Sequence, residues 1–103
     1  MIKVSVLYPN RTGCKFDMNY YLDKHMPMID RKLGSACKSI EVDQGVAGGA
    51  PGAPAPYVAI AHLYFDSVDA FQAAFTPHAK DIMADIANYT DVEPVIQISA
   101  IKM

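Results

Sequence analysis

Apolar and polar residues alternate in three stretches of the chain, a fourth short stretch is apolar almost throughout, and apolar residues recur at helical spacing in two others. From Ile2 to Tyr8, Ile2, Val4, Val6 and Tyr8 share one face and Lys3, Ser5 and Leu7 the other, the period-2 signature of a strand. Pro9 ends it, and residues 10–13 carry turn chemistry. Asp17 is placed to cap a helix, with Phe16 before it and Tyr21 beyond it positioned for a hydrophobic staple. Tyr21, Leu22, Met26, Met28, Ile29 and Leu33 follow helical spacing, and Gly34 sits where a C-terminal cap belongs. Cys37 to Gln44 predicts a second strand with Ile40 and Val42 on one face and Ser39, Glu41 and Asp43 on a wet one. Residues 45–56, rich in Gly, Ala and Pro, have no periodicity and read as a flexible loop.

Tyr57 to Phe65 is a third strand, apolar on both faces except at His62. Asp66 or Ser67 then caps a second helix whose apolar stripe, Phe71, Phe75, Ile82 and Ile86, runs to about Tyr89. Thr76-Pro77 interrupts that helix and restarts it, threonine as N-cap and proline at the first helical position. After the turn at 90–94, Val95 to Ile101 is the last strand.

The order β-α-β-β-α-β predicts an α+β, ferredoxin-like fold: a four-stranded antiparallel sheet with two helices on one face. A chain of 103 residues reads as one domain spanning 1–103. The open sheet face would be wet in a monomer, yet the third strand is apolar on both sides. A second copy is therefore expected to cover it, making a homodimer, and the high hydrophobic content of 51% points the same way.

The net charge is −2, and no basic stripe with interleaved aromatics exists, which argues against nucleic acid. The longest apolar run, Tyr57 to Phe65, is too short to span a bilayer. The N-terminal segment reads as a strand and not as a leader, so a cytoplasmic location is expected. Cys14 and Cys37 form no Cys-x-x-Cys pair and are expected to be reduced thiols.

Candidate chemistry concentrates at two helix breaks. Pro27 lacks an N–H and its ring clashes with the carbonyl of Asp23, so the helix must kink or stop beside His25. His25 also lies four residues after Tyr21, one turn above it. A helix C-terminus favours the imidazolium and a helix N-terminus the neutral ring, so His25 is expected to titrate higher than His78, which follows Thr76-Pro77. His78, Ile82, Asp85 and Tyr89 form one stripe. A pocket between helices and sheet lined by Tyr21, His25 and His78 follows, with His25 and His78 moving protons and Tyr21 orienting a substrate. Tyr20, Tyr8, Asp85 and Tyr89 complete the set expected to contact a small-molecule ligand. Structural roles are the alternative for each of these residues, and for His62. The histidines lack helical metal-motif spacing, so no metal and no bound cofactor are expected. Haem held by His78 alone is a further alternative.

Three blocks resemble the EthD family, named for ethyl tert-butyl ether degradation: Phe16…Tyr20-Tyr21…His25-Met26-Pro27; the strand Tyr57 to Phe65 with Asp66-Ser67; and Pro77-His78…Asp85…Asn88-Tyr89-Thr90-Asp91…Pro94…Gln97-Ile98-Ser99. They occur in the family's order over essentially the whole chain. The resemblance implies a dimeric α+β barrel. Related small proteins include monooxygenases, lactone isomerases, polyketide cyclases and haem proteins. EthD-like proteins are often labelled reductases, but no nicotinamide- or flavin-binding signature occurs here. The expected functions are a cofactor-free enzyme acting on an aromatic, lactone or polyketide-like molecule, or a non-catalytic accessory binding protein in a degradation pathway.

Overall fold

A computed structural model describes residues 1–103. Four strands, β1 (Ile2–Pro9), β2 (Ser39–Gln44), β3 (Tyr57–Phe65) and β4 (Val95–Ala100), form one antiparallel sheet in the order β2-β3-β1-β4. The helical segments are α1 (Met18–Tyr20), α2 (Met26–Leu33), α3 (Val68–Phe75) and α4 (Ala79–Asp85). This is the ferredoxin-like α+β arrangement.

Register decides what each face carries. Val4 pairs with Leu63, Val6 with Ala61 and Tyr8 with Ala59, so these residues share the helix-covered face. Along β3 burial alternates: Ala59, Ala61, Leu63 and Phe65 are buried, while Val58, Ile60, His62 and Tyr64 are half-buried. The third strand is thus apolar on both sides, but only one side is sealed.

Several element boundaries differ from the sequence pattern: β1 takes in Pro9 and β4 ends at Ala100, not Ile101. β2 starts at Ser39 because Gly34–Ala36 form a 3-10 turn that Cys37 closes. Gly34 adopts φ +62, a conformation favoured in glycine, and its N–H bonds to the carbonyl of Asp30, capping α2. Thr76 does not act as an N-cap. It keeps helical dihedrals and bonds back to Gln72, so α3 runs into a 3-10 turn, Thr76–His78, and α4 restarts only after His78. The caps at Asp17 and Ser67 form, each accepting from the backbone N–H three residues on at 3.1 Å.

The largest departure lies at Pro27. The helix neither stops nor breaks beside His25. It widens into a π-helical turn, Tyr21–His25, closed by the Met26 N–H bonding to the Tyr21 carbonyl five residues back. One residue is in effect inserted into the helix, which accommodates the missing Pro27 N–H and its steric demand. Counting back from Met26 and Ile29 at α-helical spacing would bury Leu22. Instead Leu22 is 47% exposed and Tyr21 is 1% exposed. The π-turn turns Tyr21 and His25 inward together.

A buried histidine chain beside an apolar cavity

A cavity of about 80 Å³ lies between the helices and the sheet. Fourteen of its sixteen lining residues are hydrophobic, and His25, Tyr8 and Tyr21 supply its polar groups. Met83 and Ile96, each about half exposed, stand at its rim.

His25 is buried and hydrogen-bonded through both ring nitrogens. Nδ1 lies 2.8 Å from Asp85 Oδ2 at the end of α4, and Nε2 lies 3.3 Å from the Tyr89 hydroxyl. Tyr89 in turn lies 2.7 Å from the Tyr8 hydroxyl on β1. Asp85 Oδ1 accepts from the Tyr20 hydroxyl at 2.7 Å and from the Asn88 amide at 2.9 Å. Tyr21 stacks on His25 with centroids 5.5 Å apart and planes 16° from parallel. Phe16 meets Tyr21, Tyr8 and Tyr89 edge-on or nearly so, each centroid within 5.4 Å.

Electrostatics set the protonation of this chain. Burial alone would raise the Asp85 carboxyl, but hydrogen bonds from Asn88, Tyr20 and His25 outweigh it and hold the group below its usual range. Asp85 is therefore a carboxylate and can only accept. Burial lowers the His25 pKa, overriding the upward pull of Asp85. The ring is accordingly neutral near pH 7, with its proton on Nδ1 facing Asp85. Nε2 is then an acceptor, so Tyr89 donates to it and Tyr8 donates to Tyr89. Burial first, and then Tyr89 for Tyr8 and Tyr8 for Tyr21, push these two hydroxyls well above the ordinary phenol value, and burial does the same for Tyr89. All three stay protonated.

His25, Tyr21, Tyr20, Tyr8, Asp85 and Tyr89 are thus brought together. His25, Tyr21 and Tyr8 wall the cavity, while Tyr20, Asp85 and Tyr89 stand behind His25. His78 is not brought in: it sits half-buried in the 3-10 turn and neither lines the cavity nor bonds to His25. The expectation that His25 titrates high rested on a helix end beside it. The π-turn carries the helix on into α2, and burial governs instead. Sequence spacing missed Asn88 as a second hold on Asp85; Asp85 and Asn88 lie three apart at a helix end, which was the available signal.

His62 occupies the opposite face. Its Nδ1 lies 2.9 Å from Ser5 Oγ and its Nε2 3.3 Å from Asp43 Oδ2. This repeats the residue types of a hydrolytic triad, but Ser5 sits in a central strand whose neighbours on both sides pair with it, so no backbone donors are free to hold an oxyanion. The haem alternative rested on His78, which does not line the cavity.

Fold and site together define a ferredoxin-like α+β protein with a carboxylate–histidine–tyrosine chain set behind an apolar cavity. The EthD domain model matches residues 15–93, and the chain belongs to the EthD family. It is 51% identical to an EthD-like protein from Ralstonia eutropha JMP134, with a TM-score of 0.91 over 95% of this chain and 88% of that one. An EthD family protein from Bacillus halodurans C-125 shares the fold at 19% identity, TM-score 0.68, covering 99% of each chain. So does a dimeric protein of unknown function from Bacteroides fragilis NCTC 9343, at 16% identity and TM-score 0.60, covering 97% of this chain and 95% of that one. The chain has no match among curated proteins. No helix is long and apolar enough to cross a membrane.

Proposed function

We propose that this EthD protein is a cytoplasmic homodimer that binds a small, largely apolar molecule in the cavity and acts on it by acid–base chemistry without a bound cofactor. His25 is the base, Asp85 orients it, and Tyr21 and Tyr8 hold the ligand against it. One observation carries this reading: a fully buried histidine, kept neutral by its surroundings, forms part of the wall of an apolar cavity and has a carboxylate fixed to its far nitrogen. A neutral imidazole aligned this way is a competent base, and the carboxylate stabilises the cation that forms when it accepts a proton. A lactone, a small aromatic or a compact polyketide-like fragment in a degradation pathway suits such a site; anything larger must displace Met83 or Ile96 at the rim.

The homodimer rests on the half-buried open face, where Leu7, Val58 and Ile60 are apolar, and on the dimeric state described for the Bacteroides relative. A second reading, passive ligand storage, is favoured by the scarcity of polar groups in the cavity wall. Native mass spectrometry of gently purified protein, followed by turnover assays of any retained compound with His25→Ala, separates the two. Catalysis predicts loss of turnover with binding retained. Turnover unchanged in His25→Ala removes His25 as the base, and a retained compound that the unsubstituted protein does not turn over leaves the storage reading.

A further inference from the structure

We infer that the hydroxyls of Tyr8 and Tyr89 form a proton conduit from the cavity to His25, and that the ligand is an uncharged compact alcohol or phenol whose hydroxyl donates to Tyr8 Oη. This rests on the proposed acid–base reading of the cavity and deepens it.

The argument starts from direction. Asp85 is a carboxylate that only accepts, from Tyr20 and Asn88 at Oδ1 and from His25 at Oδ2, so the His25 proton lies on Nδ1 and the Tyr89 and Tyr8 hydroxyls run toward Nε2. Tyr89 gives its only proton to His25, and Tyr8 gives its only proton to Tyr89. Tyr8 is the last member of the chain and the one that lines the cavity; Tyr89 does not. Of the two lone pairs on Tyr8 Oη, the neighbouring Tyr21 hydroxyl takes at most one. The chain therefore presents an acceptor to the cavity, which calls for a donor on the ligand. His25 also lines the cavity, but its Nε2 lone pair is already engaged by Tyr89. No Lys or Arg lines the cavity to hold an anion, so the ligand enters uncharged.

The transfer balances. The ligand O–H bond breaks and its proton joins Tyr8 Oη. The Tyr8 proton passes to Tyr89 Oη, and the Tyr89 proton passes to His25 Nε2. Both tyrosines end neutral, the ligand becomes an oxyanion, and the His25 imidazolium is paired with the Asp85 carboxylate. Tyr8 is the residue that touches the ligand; Tyr89 is a relay that acts through His25.

The test uses full-length protein labelled with ¹⁵N at histidine and two probes, 4-fluorophenol and the more acidic 2,6-difluorophenol. Binding is read by ¹⁹F NMR and the His25 state by the Nε2 chemical shift. In the unsubstituted protein both phenols are expected to bind, and 2,6-difluorophenol to move Nε2 from the unprotonated to the protonated range. Tyr89→Phe and Tyr8→Phe each remove one oxygen and keep the ring. In Tyr89→Phe, 2,6-difluorophenol is expected to bind within about threefold of its original affinity, and in Tyr8→Phe, which removes the acceptor of the ligand hydroxyl, to bind about three- to tenfold more weakly, while in both Nε2 stays unprotonated. Protonation of Nε2 in both variants would show direct contact with His25 and overturn the conduit while leaving the acid–base reading intact. Binding to the unsubstituted protein with Nε2 unprotonated also overturns the conduit. Failure of both phenols to bind overturns the ligand assignment, and turnover unchanged in His25→Ala is the separate result that overturns the acid–base reading itself.

Discussion

His25 Nδ1 and Asp85 Oδ2 lie 2.8 Å apart although sixty residues separate them in the chain. The contact joins the π-turn of the first helical segment to the end of the second. It fixes which nitrogen of His25 is protonated, and through that the direction of every hydrogen bond from His25 to Tyr8.

Asp85→Asn is expected to reverse that direction. Oδ1 already accepts from Tyr20 and Asn88, so the asparagine oxygen stays there and its NH₂ faces His25. Nδ1 must then accept, and the proton moves to Nε2. Nitrogen-15 chemical shifts of the ring report the switch directly. Stability falls by about 1–3 kcal/mol as the charged hydrogen bonds are lost. An Nδ1–H tautomer persisting in this variant would mean that Asp85 does not set it.

Stability should decline in mild acid. Unfolded, His25 takes up a proton near its ordinary value of 6.5; folded, burial lowers that value. Between the two, the unfolded chain binds more protons, so stability is full above about 6.5 and is lost as pH falls through the folded value. Asp85 acts in the same sense lower down, because its folded pKa is depressed: its contribution is present above the ordinary carboxylate value and is lost as pH falls through the folded one. Urea midpoints from pH 8 to pH 5 check this. In His25→Gln, the decline just below pH 6.5 should disappear.

The π-turn is tested by a pair of neighbours. Leu22→Lys is expected to change stability by no more than about 0.5 kcal/mol, because the side chain faces solvent. Tyr21→Ala should cost about 3–5 kcal/mol, the usual range for emptying a buried aromatic site. A regular α-helix through Pro27 predicts a large cost at Leu22. Chemical denaturation of the two variants decides between them.

His78→Ala should leave fluorophenol affinity within about twofold, since the residue lies outside the cavity walls. A larger loss, read by ¹⁹F titration, would return His78 to the site.

Ile60→Asp places a charge in the half-buried open face of β3. If two copies pack through that face, the substitution converts the dimer to a monomer, with little effect on the helix-side cavity. Light scattering behind a sizing column reads the outcome; a dimer that survives assigns the contact elsewhere.

The strands were legible because short runs with a period of two, or short apolar runs bounded by turn residues, leave few alternatives: the alternation over Ile2–Tyr8 is the observed β1 apart from Pro9, and the apolar run Tyr57–Phe65 is the observed β3. Ser67 and Asp17 were legible as caps because the motif is local. The π-turn was not, because Tyr21 and Leu22 are both apolar and either could have faced inward; one inserted residue decides between them. His78 shared a helical stripe with Asp85 and Tyr89 only if the helix ran unbroken from it, and the 3-10 turn at Thr76–His78 removed that register. The Asp85–His25 pair was beyond the reach of periodicity, which reports the face a residue occupies but not its partner across the core. Asp85 and Tyr89 were therefore placed near the ligand when their contact is with His25.

The most direct measurement is the ¹⁵N spectrum of His25 in the unliganded protein, followed from pH 8 to pH 5. The chain from Asp85 to Tyr8 predicts a neutral ring with its proton on Nδ1, staying neutral below pH 6.5. A ring protonated on Nε2, or one that becomes cationic above pH 6.5, would contradict it.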